Sequence, residues 1–229
     1  MDNKSTKKFE FPSIYNFPPF FTKQPNLQTW ESQLSHWIRL IFDFCEFYKI
    51  YAINLDGTPK DATSTNLNDH DDDVDDLEGY QAGSGSAGGG NGEDADEDEL
   101  KIKNNSIFNN TKISRSLKTD MIREVLIELV KLNKGEWIND KDFKSGLYIY
   151  WKTPEEWSDI ILEFIENTGQ QNSILTIYEL RKSELVKDKE FYNINEQILI
   201  KSLYILVKKG RAQILKDEEN NSIAGVKIV

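Results

Sequence analysis

Few side chains in this sequence could do covalent chemistry, and their spacing does not bring them together. The histidines, His36 and His70, are far apart, and Cys45 has no triad or metal partner near it in the chain. A nucleophile needs an adjacent base, and a metal site needs several converging ligands. Cys45 stands instead among Ile41, Phe42, Phe44 and Phe47, where a small apolar side chain packs well, and a lone thiol of this kind reads as reduced and cytosolic. The acidic run from Asp71 to Asp76 has the composition of a calcium loop. That pattern requires Gly at its sixth position and Glu at its twelfth, where this chain has Asp76 and Ala82. The Gly-rich tract from Gly83 to Gly92 lacks the Gly-Lys-Ser/Thr ending of a phosphate-binding loop. The residues therefore predict no enzyme activity, no metal and no cofactor.

What the sequence does offer is recognition chemistry. Residues 9–21 read Phe-Glu-Phe-Pro-Ser-Ile-Tyr-Asn-Phe-Pro-Pro-Phe-Phe, with five phenylalanines, one tyrosine and three prolines ahead of any regular element. Proline fixes φ and supplies no backbone donor, so neither a helix nor a central strand suits this stretch. Some rings of such an arm pack across their own domain. So many aromatics exceed what a small core needs, however, and a proline-stiffened segment loses little entropy on docking into a partner. The arm is expected to make a partner contact with hot spots at Phe20 and Phe21, whose replacement by Ala should weaken assembly and leave the domains folded.

The elements that must carry this arm follow from periodicity. A first helix from about Gln28 to Tyr48 sets Leu34, Trp37, Ile38, Ile41, Phe42, Cys45 and Phe47 on one buried stripe. A short strand follows from Ile50 to Asn54. Residues 56–100 are poor in large apolar side chains, hold two acidic runs (69–78 and 93–99) around the Gly/Ser tract, and are expected to be a disordered insertion dispensable for folding. Ser106 to Leu117 suits a short helix and turn. Thr119 is placed to cap a helix that buries Met121, Ile122, Val125, Leu126, Leu129 and Leu132 and ends at Gly135. A hairpin around Trp137 and Leu147–Trp151 closes this half.

A similar order then repeats. Thr153-Pro154-Glu155-Glu156 opens a helix that runs to Gly169, and Thr176-Ile177-Tyr178-Glu179 is a second capping box. A longer helix with Ile198, Leu199, Leu203, Leu206 and Val207 inside ends at Gly210, and Ala212–Leu215 and Ile223–Val229 form the last hairpin. Helix, short strand, helix, helix and hairpin is the order of a winged helix. The reading is an α+β chain of two tandem winged-helix domains: an arm at 1–27, a first domain at 28–152 with the acidic insertion inside it, and a second at 153–229.

Winged helices commonly bind DNA, so a transcription regulator is the alternative. The formal net charge is −11, but residues 56–100 hold fifteen Asp and Glu against one Lys, and the remainder carries a small positive charge. In the first candidate recognition helix Arg123, Lys131 and Lys134 are balanced by Asp120, Glu124 and Glu128. In the second, Lys201, Lys208 and Lys209 are dispersed. A phosphate-binding face concentrates cations, so no nucleic-acid partner is expected.

Several separated motifs resemble one known family. Phe17-Pro18-Pro19-Phe20-Phe21-Thr22 with Gln24-Pro25-Asn26, Ile107-Phe108-Asn109-Asn110, Trp151 with Pro154-Glu155-Glu156-Trp157, Leu175-Thr176-Ile177-Tyr178-Glu179-Leu180 and the ending Gly225-Val226-Lys227-Ile228-Val229 are similar to the vacuolar protein sorting subunit 25 family, the twin winged-helix subunit of the ESCRT-II endosomal sorting complex. The resemblance covers nearly the whole chain except the acidic insertion. It implies a Y-shaped complex with two copies of this subunit, in which proline-aromatic motifs of the type Pro-Pro-x-Tyr/Phe dock the first domain onto the two larger winged-helix subunits. Pro18-Pro19-Phe20-Phe21 fits that pattern, whereas Pro12-Ser13-Ile14-Tyr15 departs from it at the second proline. The implied partner-binding residues are Pro12, Tyr15, Phe17, Pro18, Pro19, Phe20 and Phe21. By the same resemblance the second domain recruits the first subunit of ESCRT-III in multivesicular-body sorting, and the protein is cytoplasmic, reaching the endosomal membrane peripherally through its partners.

Overall fold

The repeated order of elements folds into two units of the same strand topology. The computed structural model describes residues 8–60, 105–217 and 223–229; most of the acidic insertion expected at 56–100 lies outside that range. The first unit contains α1 (Leu27–Tyr48), β1 (Ala52–Ile53), the small ladder β2 (Asn109–Asn110) and β3 (Arg115–Ser116), α2 (Thr119–Lys131), and the hairpin β4 (Gly135–Trp137) and β5 (Leu147–Ile149). The second contains α3 (Pro154–Asn167), β6 (Ile174–Leu175), α4 (Ile177–Lys182), α5 (Glu196–Lys208), and the hairpin β7 (Ala212–Lys216) and β8 (Ile223–Ile228). Each unit has a three-stranded antiparallel sheet in which the last strand lies in the middle: β1-β5-β4 and β6-β8-β7. Among the described residues no helix is long and apolar enough to cross a membrane.

Helix starts in the second unit are as the sequence predicts. Thr153 accepts from the Glu156 amide at 3.2 Å while the Glu156 carboxylate accepts from the Thr153 amide at 2.7 Å. Thr176 and Glu179 repeat this at 3.1 and 2.8 Å. Each reciprocal pair satisfies donors that a helix start leaves orphaned.

The first unit corrects several expectations. Lys118 is the last extended residue before α2, with φ −70° and ψ 150°, so Thr119 already lies inside the helix and makes no cap. The exit from α2 is through Asn133, in the left-handed region at φ 54°, and Gly135 begins β4. A Cβ at Gly135 would sit 2.9 Å from the Tyr148 carbonyl, so this glycine permits close strand approach. Residues 106–117 hold the expected short helix and turn as a single 3-10 turn at Thr111–Ile113, set inside the β2–β3 ladder that the periodicity did not show. The Asn110 side chain accepts from the Lys112 and Ile113 amides at 3.0 and 3.4 Å, and Ser114 turns left-handed at φ 52°. These bonds cap the start of the 3-10 turn by engaging amides that it leaves without a partner. Phe47, Leu132 and Val207, expected inside, are 38%, 51% and 36% exposed.

The ordered chain also continues past Asp56. Lys60 N–H donates to Ala52 carbonyl at 2.9 Å, Asn54 N–H to Thr58 carbonyl at 2.8 Å, and the Lys60 ammonium to Ser145 carbonyl at 2.7 Å. Residues 56–60 are therefore tied to the edge of the first sheet, with an isolated bridge between Pro59 and Ile53. Within this turn Gly57 has φ 81°, and a Cβ there would meet the buried Phe108 ring at 2.3 Å.

Burial along β5 joins the two units. Leu147 and Ile149 belong to the core of the first, packed with α1 and α2, while Tyr148 and Tyr150 pack with Trp157, Ile161, Leu199 and Leu203 of the second. Both faces of this sheet are covered, one by each core.

Gly57→Ala combines a positive-φ penalty with overpacking against Phe108 and is expected to cost about 2–4 kcal/mol, read as a lower denaturant midpoint. Replacing residues 62–103 with a short Gly/Ser linker should leave the midpoint nearly unchanged, since each halving of loop length is worth only about 0.6 kcal/mol. Extending the cut back to Asp56 should destabilise.

Candidate partner-binding arm

Proline-rich backbone takes neither regular structure, and the arm folds instead as two short 3-10 turns, Ser13–Asn16 and Pro18–Phe21, with extended Phe17 between them. Bonds at each turn's end close them: the Phe17 amide donates to Ile14 carbonyl at 3.0 Å and the Thr22 amide to Pro19 carbonyl at 3.1 Å. Pro18 stands at the first position of its turn, where a missing donor costs nothing.

The turns direct Tyr15, Phe20 and Phe21 inward, toward Trp37 of α1. Phe20 lies flat on Trp37 of α1, with centroids 4.2 Å apart and planes 9° from parallel, while Phe21 meets the same indole edge-on at 5.3 Å. Phe108 approaches Trp37 at 5.4 Å. Tyr15 stacks on Phe11 at 4.3 Å, and its hydroxyl donates to the Ile107 and Asn109 carbonyls at 3.0 and 3.2 Å. Burial pushes the Tyr15 phenol well above its ordinary range, so it stays neutral. Phe9 completes the cluster edge-on to Phe11 and Phe44.

The arm's backbone is held by side chains that sequence reasoning did not single out. Gln33, 7% exposed on the buried face of α1, donates through its amide to Pro19 carbonyl at 3.0 Å and Thr22 carbonyl at 3.2 Å. The Trp37 indole N–H donates to Phe20 carbonyl at 3.3 Å, and Asn110 Nδ2 to Tyr15 carbonyl at 2.6 Å. The Tyr15, Phe20 and Thr22 carbonyls are ones the 3-10 turns leave open, and the Pro19 carbonyl gains a second donor. Farther along, Lys23 pairs with Glu124 of α2 at 2.6 Å, and Trp30 Nε1 donates to the same carboxylate at 3.0 Å. Gln33 carried a signal: a polar residue four before Trp37, on the stripe that Trp37, Ile41 and Phe44 continue.

The seven residues implied as partner-binding thus divide. Tyr15, Phe20 and Phe21 are 5%, 1% and 3% exposed and belong to the first unit's own core. The expectation that Phe20 and Phe21 could be cut to Ala with the domain left folded gives way, because these rings are already buried on Trp37. Pro12, Pro18 and Pro19 are exposed and Phe17 is 56% exposed, on a backbone that is fixed from beneath.

Of the remaining candidates for chemistry, His70, the acidic run at 71–76 and the Gly-rich tract at 83–92 lie outside the described residues. His36 is exposed on α1, and the Cys45 thiol is fully enclosed, its pKa pushed far above the ordinary range by burial, so it is not a ready nucleophile. Two of the three lysines named for the second candidate recognition helix are engaged: Lys201 of α5 pairs with Glu136 at 2.6 Å and Lys209, just past its end, with Asp159 at 2.7 Å.

Comparison with known proteins points one way. Residues 14–195 match the family model described as ESCRT-II complex subunit. Vacuolar protein-sorting-associated protein 25 of Xenopus laevis is 32% identical over 215 residues, covering 94% of this chain and 97% of that one. Its counterpart in Saccharomyces cerevisiae is 31% identical over 224 residues, with 95% and 98% covered. A crystal structure of subunit VPS25 of the endosomal trafficking complex ESCRT-II superposes with a TM-score of 0.71 at 28% identity, covering 95% of this chain and 98% of that one. The crystal structure of the endosomal complex ESCRT-II (VPS22/VPS25/VPS36) contains a chain that superposes at 0.68 and 26% identity, with the same coverage.

Phe20→Ala should cost about 3–5 kcal/mol by emptying the space against Trp37, read as a lower thermal midpoint. Phe17→Ala, at an exposed position, should move it by less than about 0.5 kcal/mol.

Proposed function

The chain belongs to the ESCRT-II complex subunit family, and from that premise we propose that it is an adaptor whose arm docks onto the two larger winged-helix subunits through the exposed Pro12, Phe17, Pro18 and Pro19. As a member of that family it is a non-enzymatic subunit in endosomal sorting. The observation that carries the docking reading is the contrast within the arm: Tyr15, Phe20 and Phe21 lock it to α1, while Phe17 between them is left 56% exposed. A rigid ring on a preformed backbone binds with little loss of entropy, which is the property of an interface anchor. That a relative is solved together with VPS22 and VPS36 supports two such partners. Within this reading Tyr15, Phe20 and Phe21 act from beneath, setting the arm's shape.

The domain division at 152/153 and the winged-helix identity of each unit belong to the same proposal, supported by the matching strand orders. By family resemblance the second unit engages the first subunit of ESCRT-III, and the protein reaches the endosomal membrane peripherally from the cytoplasm, its contact with lipid made through its partners. The DNA-binding alternative is disfavoured because Lys201 and Lys209 are spent on Glu136 and Asp159.

Affinity purification from the source cell followed by mass spectrometry should recover two larger ESCRT-II subunits; recovery of transcription factors alone would overturn the sorting reading. The triple variant Phe17→Ala, Pro18→Ala, Pro19→Ala should weaken assembly by about 2 kcal/mol or more, roughly thirty-fold in affinity, with the free chain still folded.

A further inference from the structure

An adaptor that presents an arm at one end and a second binding unit at the other transmits geometry only if its two units keep one orientation. The face that the first unit turns toward the second is amphipathic: Tyr51, Tyr148 and Tyr150 lie there, where its inward face carries Ile53, Leu147 and Ile149. Flat aromatic faces adhere through area but do not by themselves fix a register. A polar cluster supplies it. Glu136 of β4 accepts from the Tyr150 hydroxyl at 2.5 Å and pairs with the Lys201 ammonium of α5 at 2.6 Å. Lys201 also donates to the Tyr150 hydroxyl at 3.1 Å, closing a three-membered ring of bonds, and lies 5.1 Å from the centroid of the Tyr148 ring. A second pin stands at the junction itself. Lys152 pairs with Glu190 of the second unit at 2.7 Å and lies 3.9 Å from Glu46 of α1, with its ammonium over the Trp151 and Trp157 rings.

We propose that Glu136, Lys201 and Tyr150 are positioning residues that hold the two units at one fixed angle, making the chain a rigid spacer between its arm and its second unit. The pair is partly exposed, with 31% of the Lys201 side chain and 49% of the Glu136 side chain accessible, so as an isolated ion pair it adds little to stability. Its contribution is directional: sliding one unit over the other breaks all three bonds and the cation–ring contact together. Carboxylate, ammonium and phenol hold one another only while Glu136 is ionised. Its hydrogen bonds with Lys201 and Tyr150 outweigh the cost of its partial burial and hold its pKa below the ordinary carboxylate value, and Tyr148 is the other titratable neighbour it acts on. A depressed folded-state pKa means that the clamp is intact above the ordinary carboxylate range and is released as pH falls through that lowered value.

The test reads geometry and stability separately. Because Cys45 is buried, spin labels can be placed selectively at Glu31→Cys on α1 and Gln171→Cys in the second unit, both exposed positions, and the distance distribution measured in the full chain. The parent should give one narrow distribution. Lys201→Met and Glu136→Gln should each broaden it at least two-fold with a nearly unchanged thermal midpoint, and Tyr150→Phe should do so to a smaller degree. The exchange of Glu136→Lys with Lys201→Glu should narrow it again relative to either single change. Tyr51→Phe removes an interface hydroxyl that has no hydrogen-bond partner among the described residues and should leave the distribution alone. Distributions as narrow as the parent's in both Lys201→Met and Glu136→Gln would overturn the proposal, as would broadening by Tyr51→Phe equal to that by Tyr150→Phe.

Discussion

The structure turns on the strict alternation of four residues in and beside β5. Leu147 and Ile149 face one core, Tyr148 and Tyr150 the other, and no register shift of a single residue is tolerated, because it would exchange apolar and phenolic faces across the sheet. β5 is also the central strand, paired with β1 along one edge and β4 along the other. Once this strand is placed, β1 and β4 take their places beside it, α1 and α2 close over the inner face, and the second unit docks on the outer one.

The arm depends on that inner core at one remove. Trp37 reaches it from α1 and presents its other face to Phe20, so the aromatic stack extends the core out to the N-terminal segment. Backbone polarity is met by side chains: Gln33, Trp37 and Asn110 donate to the Thr22, Phe20 and Tyr15 carbonyls, which the turns themselves leave open. An irregular segment fixed in this way has the stiffness of a regular element and leaves Phe17 on an outward corner. Preorganisation of this kind fits a subunit whose role is to be held by others.

The contact between the units has the composition of a protein interface more than of a core. It pairs tyrosines and tryptophans with lysines and glutamates, including Lys201 over Tyr148 and Lys152 over Trp151 and Trp157. Aromatic rings provide area with few rotamers to freeze, and the charged groups choose among the ways two flat faces could meet. The same engagement removes Lys201 from the helix face that a nucleic-acid-binding relative of this topology would present to phosphate, so one set of side chains both joins the units and disfavours another function.

Local signals in the sequence were sufficient for much of this. Periodicity placed the long helices, reciprocal Thr/Glu spacing marked the starts of α3 and α4, and the order of elements gave two units of one kind, because helix phase and capping depend on residues within a turn or two of each other. The proline-aromatic composition of residues 9–21 marked the arm as irregular and the quoted motifs identified the family. Tertiary structure alone decided which rings of that arm point inward. A 3-10 turn fixed by proline has no amphipathic period to read, and the direction of Phe20 against that of Phe17 is set by a distant tryptophan and a glutamine's carbonyl partners. The same holds for Gly135, required by the approach of Tyr148 from the next strand, and for residues 56–60, tied to the sheet through the Lys60 ammonium and the Ser145 carbonyl. In each case the deciding contact spans many residues of chain, and no local pattern encodes it.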